Sequence, residues 1–126
     1  MKIRVINPSD IGKLQLIHGR YYYDEFEFPN FFHNYLSSFV VTNEEDKIIT
    51  GGGVRLIAES VIITDKSVSA RERKLALEEM FRASAFTASA RDFKQLHAFI
   101  QDENWLRHLT KVGFRETVGK SLVLNL

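Results

Sequence analysis

The segment Glu59–Ala90 narrows the folds open to this chain more than any other. ESVIIT (Glu59–Thr64) is short, β-branched and continuous, the pattern of a strand buried on both faces. After the polar stretch Asp65–Val68 a helical pattern sets Leu77, Met80, Phe81, Ser84, Ala85 and Ala88 along one stripe. The second half of that helix, ASAFTASA, is mostly small residues and lets a sheet or another helix approach closely. A strand that feeds directly into a helix asks for a layered α/β arrangement, in which each buries the other's apolar side.

The flanking sequence extends this pattern in both directions. Lys2–Ile6 alternates as a strand, and Asn7-Pro8-Ser9-Asp10 reads as a helix start, with a capping Asn, Pro at the first helical position and an acid in the first turn. Ile11, Leu14 and Ile17 continue that helix to about Arg20. The next stretch is dense in Tyr and Phe, which predicts core plugging, and Pro29 is expected to open a short second helix. Phe39–Thr42 and Lys47–Thr50 propose a hairpin around Asn43–Asp46. Gly51–Gly53 then interrupts the second strand before Val54–Leu56, as glycine does at a bulge or where another backbone comes close. Leu96–Ile100 reads as a strand, Glu103–Lys111 as a helix stopped by Gly113, and Ser121–Leu126 as a last strand. The expectation is one α/β domain over residues 1–126. It has a mixed sheet, a parallel crossover pair and helices on both faces. A chain of this length can bury roughly two thirds of its unfolded surface, enough for a core without staples.

Several chemistries are excluded early. The chain has no cysteine, which removes disulfides, thiolate nucleophiles and Cys-ligated zinc. His18, His33, His97 and His108 are scattered, so no metal site is expected. There is no G-x-S-x-G element and no phosphate-binding P-loop, and Gly51–Gly53 lies inside a hairpin rather than between a strand and a helix. A net charge of +1 gives no general pull toward nucleic acid or an anionic membrane. The first residues lack the apolar core of a signal peptide, and no apolar run approaches the ~18 residues that cross a bilayer. The expected location is the cytoplasm, with a virion as the alternative.

The order of elements, and above all the last third of the chain, resembles the GNAT superfamily of acyl-CoA N-acyltransferases. The residues that carry the likeness lie in QDENWLRHLTKVGF, where Asn104, Leu109, Lys111, Gly113 and Phe114 match the family's final helix. The strand LHAFIQ, the three-glycine strand and the strand-turn-helix unit stand in the expected order around it. The resemblance implies acetyl-CoA or another acyl-CoA as cofactor and an amine, on a small molecule or a protein, as acceptor. It implies a mostly antiparallel sheet whose strands matching Glu59–Thr64 and Leu96–Ile100 splay apart, with the pantetheine arm on the exposed backbone of Ile62, Ile63 and Thr64. The pyrophosphate would meet the mouth of the next helix, at Ser69, Ala70, Arg71, Arg73 and Lys74, and Asn104 and Lys111 would also contact the coenzyme.

This sequence departs from the family at two places. Where the family's phosphate loop carries glycines, Ser69, Arg71 and Arg73 stand instead. Two readings of that junction are open. In one, free amides and the cluster Arg71, Arg73, Lys74 still grip a diphosphate. In the other, Ser69-Ala70-Arg71-Glu72 is a capping box that uses those same donors. The second departure is Leu109, where the family's proton-donating Tyr would fall. Neighbouring His108 is the substitute acid, and Glu59 is the candidate base. Tyr22, Asp24, Glu25 and Glu27 lie where the family frames the acceptor and could attract a cationic amine.

A looser likeness is to acetyltransferase-like proteins of short-tailed bacteriophages, some of them internal virion components. These share the glycine-poor, Ser-then-basic helix start. The rival to an enzyme is therefore a catalytically silent GNAT-fold binding or structural protein. An oligomer paired through the edge strand Ser121–Leu126, a homodimer in its simplest form, is a further expectation.

Overall fold

A computed structural model describes all 126 residues. The elements are β1 (Lys2–Val5), a 3-10 turn (Pro8–Asp10), α1 (Ile11–Tyr21), β2 (Tyr35–Thr42), β3 (Ile48–Arg55), β4 (Ala58–Glu59), α2 (Ala70–Ala90), β5 (Leu96–His97) and α3 (Glu103–Lys111). The architecture is mixed α/β. An antiparallel sheet in the order β1-β2-β3 is accompanied by a separate parallel pair, β4-β5. No helix is long and apolar enough to cross a membrane.

The N-terminal half follows from its sequence signals. Asn7 caps the 3-10 turn through the Ser9 N–H at 3.1 Å, and Asp10 returns to the Asn7 N–H at 2.9 Å. Arg4 on β1 donates two parallel bonds to Asp10, at 2.7 and 2.8 Å, and so ties the strand to the start of α1. Asp10 is buried, and its contact with the Arg4 guanidinium, with the Asn7 N–H adding to it, holds its carboxyl down at about 2. Ile6, Leu14, Phe31, Val40 and Ile48 close into one core, with Ile17, Phe28 and Tyr35 packed around it.

The hairpin turns where expected. The Asn43 side chain takes the Glu45 and Lys47 N–H groups, and Asp46 adopts φ +59°, which aspartate tolerates better than most residues. The triple glycine does not interrupt a strand; it lies within β3. A Cβ on Gly51 would sit 2.6 Å from Leu14 Cδ2, and one on Gly53 would sit 2.0 Å from the Ser37 carbonyl oxygen. Close approach, by a helix side chain and by the neighbouring backbone, is therefore what these two glycines permit.

Other expectations are corrected. No helix follows Pro29: the Asn30 side chain takes the Phe32 N–H at 3.2 Å and its carbonyl takes that of His33, which makes a local turn of the segment. Glu59–Thr64 is not a strand buried on both faces. The ladder covers Ala58↔Leu96 and Glu59↔His97, after which only the Ser60 N–H to His97 carbonyl bond at 2.8 Å remains, and Ile63 is 98% exposed. Leu96–Ile100 likewise contributes only Leu96 and His97, and Ser121–Leu126 joins no sheet. Helices do not cover both faces of one sheet. α1 lies against β3, while on the opposite face the cross-strand rows Ile3/Val41/Thr50 and Val5/Phe39/Gly52 leave Ile3 and Val5 exposed. β-branched sequence supplies strand propensity but no partner, and without a partner there is no ladder.

Two helix ends close by the same device. At the end of α3, Gly113 at φ +108° lets Phe114 N–H reach the Leu109 carbonyl at 3.0 Å, as the sequence predicts. At the end of α2, Asp92 at φ +60° does the same for Phe93 and Ala88. The Asp92 carbonyl, turned outward, accepts from His33 Nε2 at 3.0 Å and Asn34 Nδ2 at 3.3 Å, a polar tie between the two halves of the chain.

Candidate functional site

The site expected from sequence centres on the mouth of α2, and there the capping box has formed. Ser69 Oγ accepts from the Glu72 N–H at 3.2 Å, while the Glu72 carboxylate accepts from the Ser69 N–H at 3.2 Å and from the Ser69 hydroxyl at 3.0 Å. Two of the four orphan donors of the helix are thus used from within. The amides of Ala70 and Arg71 have no partner in the protein. They offer two N–H groups with the partial positive charge of a helix start.

The three basic residues that cluster here in sequence separate in space. Arg73 turns back over the preceding loop and donates to the carbonyls of Lys66, at 3.1 Å, and Val68, at 2.6 Å. Lys74 leans along the helix toward Glu78, 3.9 Å away. Arg71 makes no ion pair. The loop is braced again at Asp65, which takes the hydroxyl and amide of Ser67 at 2.7 and 2.8 Å. Those bonds, the hydroxyl first, hold the Asp65 carboxyl below its ordinary value. The loop therefore enters α2 in a conformation fixed by its own side chains.

Beside this mouth, Ile62, Ile63 and Thr64 line a hollow of about 240 Å³ with Arg73, Leu77 and Met80 of α2. Four of the expected coenzyme contacts are thus brought together. Asn104 and Lys111 lie on α3, where Asn104 accepts from Arg107 and Lys111 is exposed; neither lines that hollow.

The expected acid and base are not brought together. Glu59 borders a hollow of about 390 Å³ against Met80, Ser84 and Thr87 of α2. His108 is exposed on α3, edge-on to Trp105 with ring centres 6.2 Å apart, and is not among the residues around Glu59. Leu109 is buried and serves the packing of α3. The parallel register instead sets Glu59 directly across from His97. His97 also borders the largest of these hollows, about 570 Å³, between Leu96–Gln101 and α3. Sequence reading passed over His97 because a parallel register joins residues far apart in the chain. The signal available was that both lie at the starts of the two segments expected to pair.

Tyr22 lines an aromatic hollow of about 460 Å³ with His18, Phe26, Phe28 and the glycines of β3. Asp24, Glu25 and Glu27 are exposed and stand outside it. No protein-family model, curated protein or solved structure matches the chain.

Proposed function

We propose that the protein is a divergent acyl-CoA-dependent N-acyltransferase of the GNAT kind, acting on an amine acceptor. One observation carries the reading: β4 and β5 run parallel for two residues and then lose their ladder, so strand backbone is left unpaired just ahead of a helix mouth with two free amides. An extended amide-rich chain ending in a diphosphate needs those two features in that order. Ile62–Thr64 would receive the arm, and the amides of Ala70 and Arg71, with the Arg71 guanidinium, would receive the phosphates. The coenzyme would supply an activated acyl group. Glu59 is placed in this reading as the group that takes a proton from the incoming ammonium. His97 is the backbone partner of Glu59 across the pair and, like His108, does not border the hollow at Glu59, so it enters this reading as a second candidate for the acid.

The fit is partial, because the Glu72 carboxylate sits at the same mouth and opposes a phosphate there. That gives a sharp test. Acetyl-CoA at a hundred times its dissociation constant should stabilise the fold by about 2.7 kcal/mol, which is several degrees in Tm for a chain of this size. Glu72→Gln keeps the cap and removes the charge, and should tighten binding roughly fivefold. The absence of any shift at millimolar coenzyme, in both proteins, would end the proposal.

The same geometry favours a second reading on one point, since buried Leu109 and exposed His108 leave α3 without a proton donor facing Glu59. A silent GNAT-fold binding or structural protein, a virion component among the options, would have those properties. Loss of turnover in Glu59→Gln with coenzyme binding intact would exclude it. In either reading two copies pair as a homodimer, because Ser121–Leu126 has no strand partner in its own chain.

A further inference from the structure

We propose that Ser121–Leu126 is a donor strand exchanged between two copies of this chain, each copy adding it to the free edge of β3 in the other. This rests on the homodimer reading and on none of the acyl-transfer chemistry.

The donor is ready-made. Beyond the Phe114 N–H, no backbone hydrogen bond forms in the chain. Leu122, Leu124 and Leu126 alternate with Ser121, Val123 and Asn125, the pattern of a strand with one apolar face. All three leucines are more than four fifths exposed. No side chain in the segment is charged.

The acceptor is singled out by comparing the sheet edges. β1 presents Lys2 and Arg4, and β4 and β5 are two residues long; charge and shortness both discourage pairing. β3 has eight residues, no proline and no charge before Arg55, and it pairs with β2 alone. Of its three glycines, Gly51 and Gly53 are covered by Leu14 and by Ser37, and Gly52 leaves bare ground beside that edge. A Cβ on Gly52 would meet nothing within 4 Å. Large side chains on an added strand fill such ground, which is how edge glycines are compensated in sheets. Gly52 lies in the row of Val5 and Phe39, next to Ile3, Val41 and Thr50, so the leucines would extend an apolar face that carries no charge.

The surface balance asks for a partner of this kind. The chain exposes 10658 Å², whereas a compact monomer of its mass exposes about 6,900 Å². Part of that excess lies on the tail itself, where Leu122, Val123, Leu124 and Leu126 are all more than four fifths exposed. Within its own chain the segment lies elsewhere, since Ser121 borders the hollow against Leu96–Gln101, which shares no residue with β3. Donor and acceptor belong to one sequence, so reciprocal exchange closes as a two-fold pair.

The test uses the intact chain, its truncation before Ser121, and Gly52→Lys, which the isolated fold accommodates. Light scattering should give a dimer for the first and half that mass for the other two, with unchanged circular dichroism. Because the chain has no cysteine, one copy with Thr50→Cys can be mixed with another carrying Leu122→Cys or Leu124→Cys. An interchain disulfide is expected on oxidation. A dimer that survives both truncation and Gly52→Lys would keep the homodimer and overturn the exchange. A monomeric intact chain would overturn both. A disulfide formed only within a chain carrying both cysteines would show that its own tail covers β3, which also overturns the exchange.

Discussion

The two halves of this molecule solve the same problem unequally. Residues before Ile57 hold a closed cluster of five buried apolar side chains, a hairpin of two eight-residue strands, and a half-buried ion pair that joins strand to helix. The residues after it bury Leu77, Ala88 and Leu109 and share one ladder of two pairs, although they contain the longest helix and the most β-branched strand sequence. The difference is one of contact order. A hairpin and the helix beside it need only short loops closed, whereas a parallel pair must first close the whole of α2 before a single ladder bond forms. Strong local propensity in the second half thus yields good helices and little sheet.

This contrast can be broken or sharpened by measurement. The largest effect is expected from Leu14→Ala, which empties the N-terminal core and should cost about 3 kcal/mol in urea unfolding. Phe86→Ala, on the exposed side of α2, should change stability by less than about 0.5 kcal/mol. Equal costs would show that the two halves share one core. Next, Gly51→Ala drives a methyl into Leu14 and should destabilise by about 2 kcal/mol. Gly52→Ala serves as the silent control in the protomer.

Asp10→Asn comes third. The Asp10 carboxyl titrates at about 2, below its usual value near 3.8, so its contribution is complete above the usual value and is lost as pH falls toward 2. Because the Arg4 end of the pair is 44% exposed, the contribution is discounted to about 1–2 kcal/mol. Wild type should therefore lose stability between pH 4 and about 2 more steeply than Asp10→Asn, and the two curves should converge at the acid end. Parallel curves would deny the ion pair its role. Apart from the silent controls, the smallest effect belongs to Ser69→Ala, which removes both hydrogen bonds of the Ser69 hydroxyl and should cost about 1 kcal/mol. The same variant frees the Glu72 N–H, so a gain in coenzyme affinity would show that cap and ligand compete for the same donors.

How much could be read beforehand depended on whether the deciding contact was local. Asn7-Pro8-Ser9-Asp10, the Asn43–Asp46 turn, the Ser69–Glu72 box and Gly113 were all legible, because each is a rule about residues within one turn of each other. Pro29 misled because a proline fits a turn as well as a first helical position, and Asn30 supplied the turn's hydrogen bonds. At the candidate site, Ile62–Thr64 and the mouth of α2 could be anticipated from order along the chain. The turn of Arg73 onto its own loop and the placing of Glu59 opposite His97 could not, since neither leaves a periodic signal.

By itself the amino-acid sequence determined the three α-helices, the hairpin, their caps and the absence of thiol chemistry, because those depend on neighbours close along the chain. Only the tertiary structure decided which β-prone segments found partners, which side of the antiparallel sheet stayed bare, and that Glu59 stands opposite His97 rather than near His108. Those outcomes turn on the entropy of closing long loops, and no short stretch of residues encodes it.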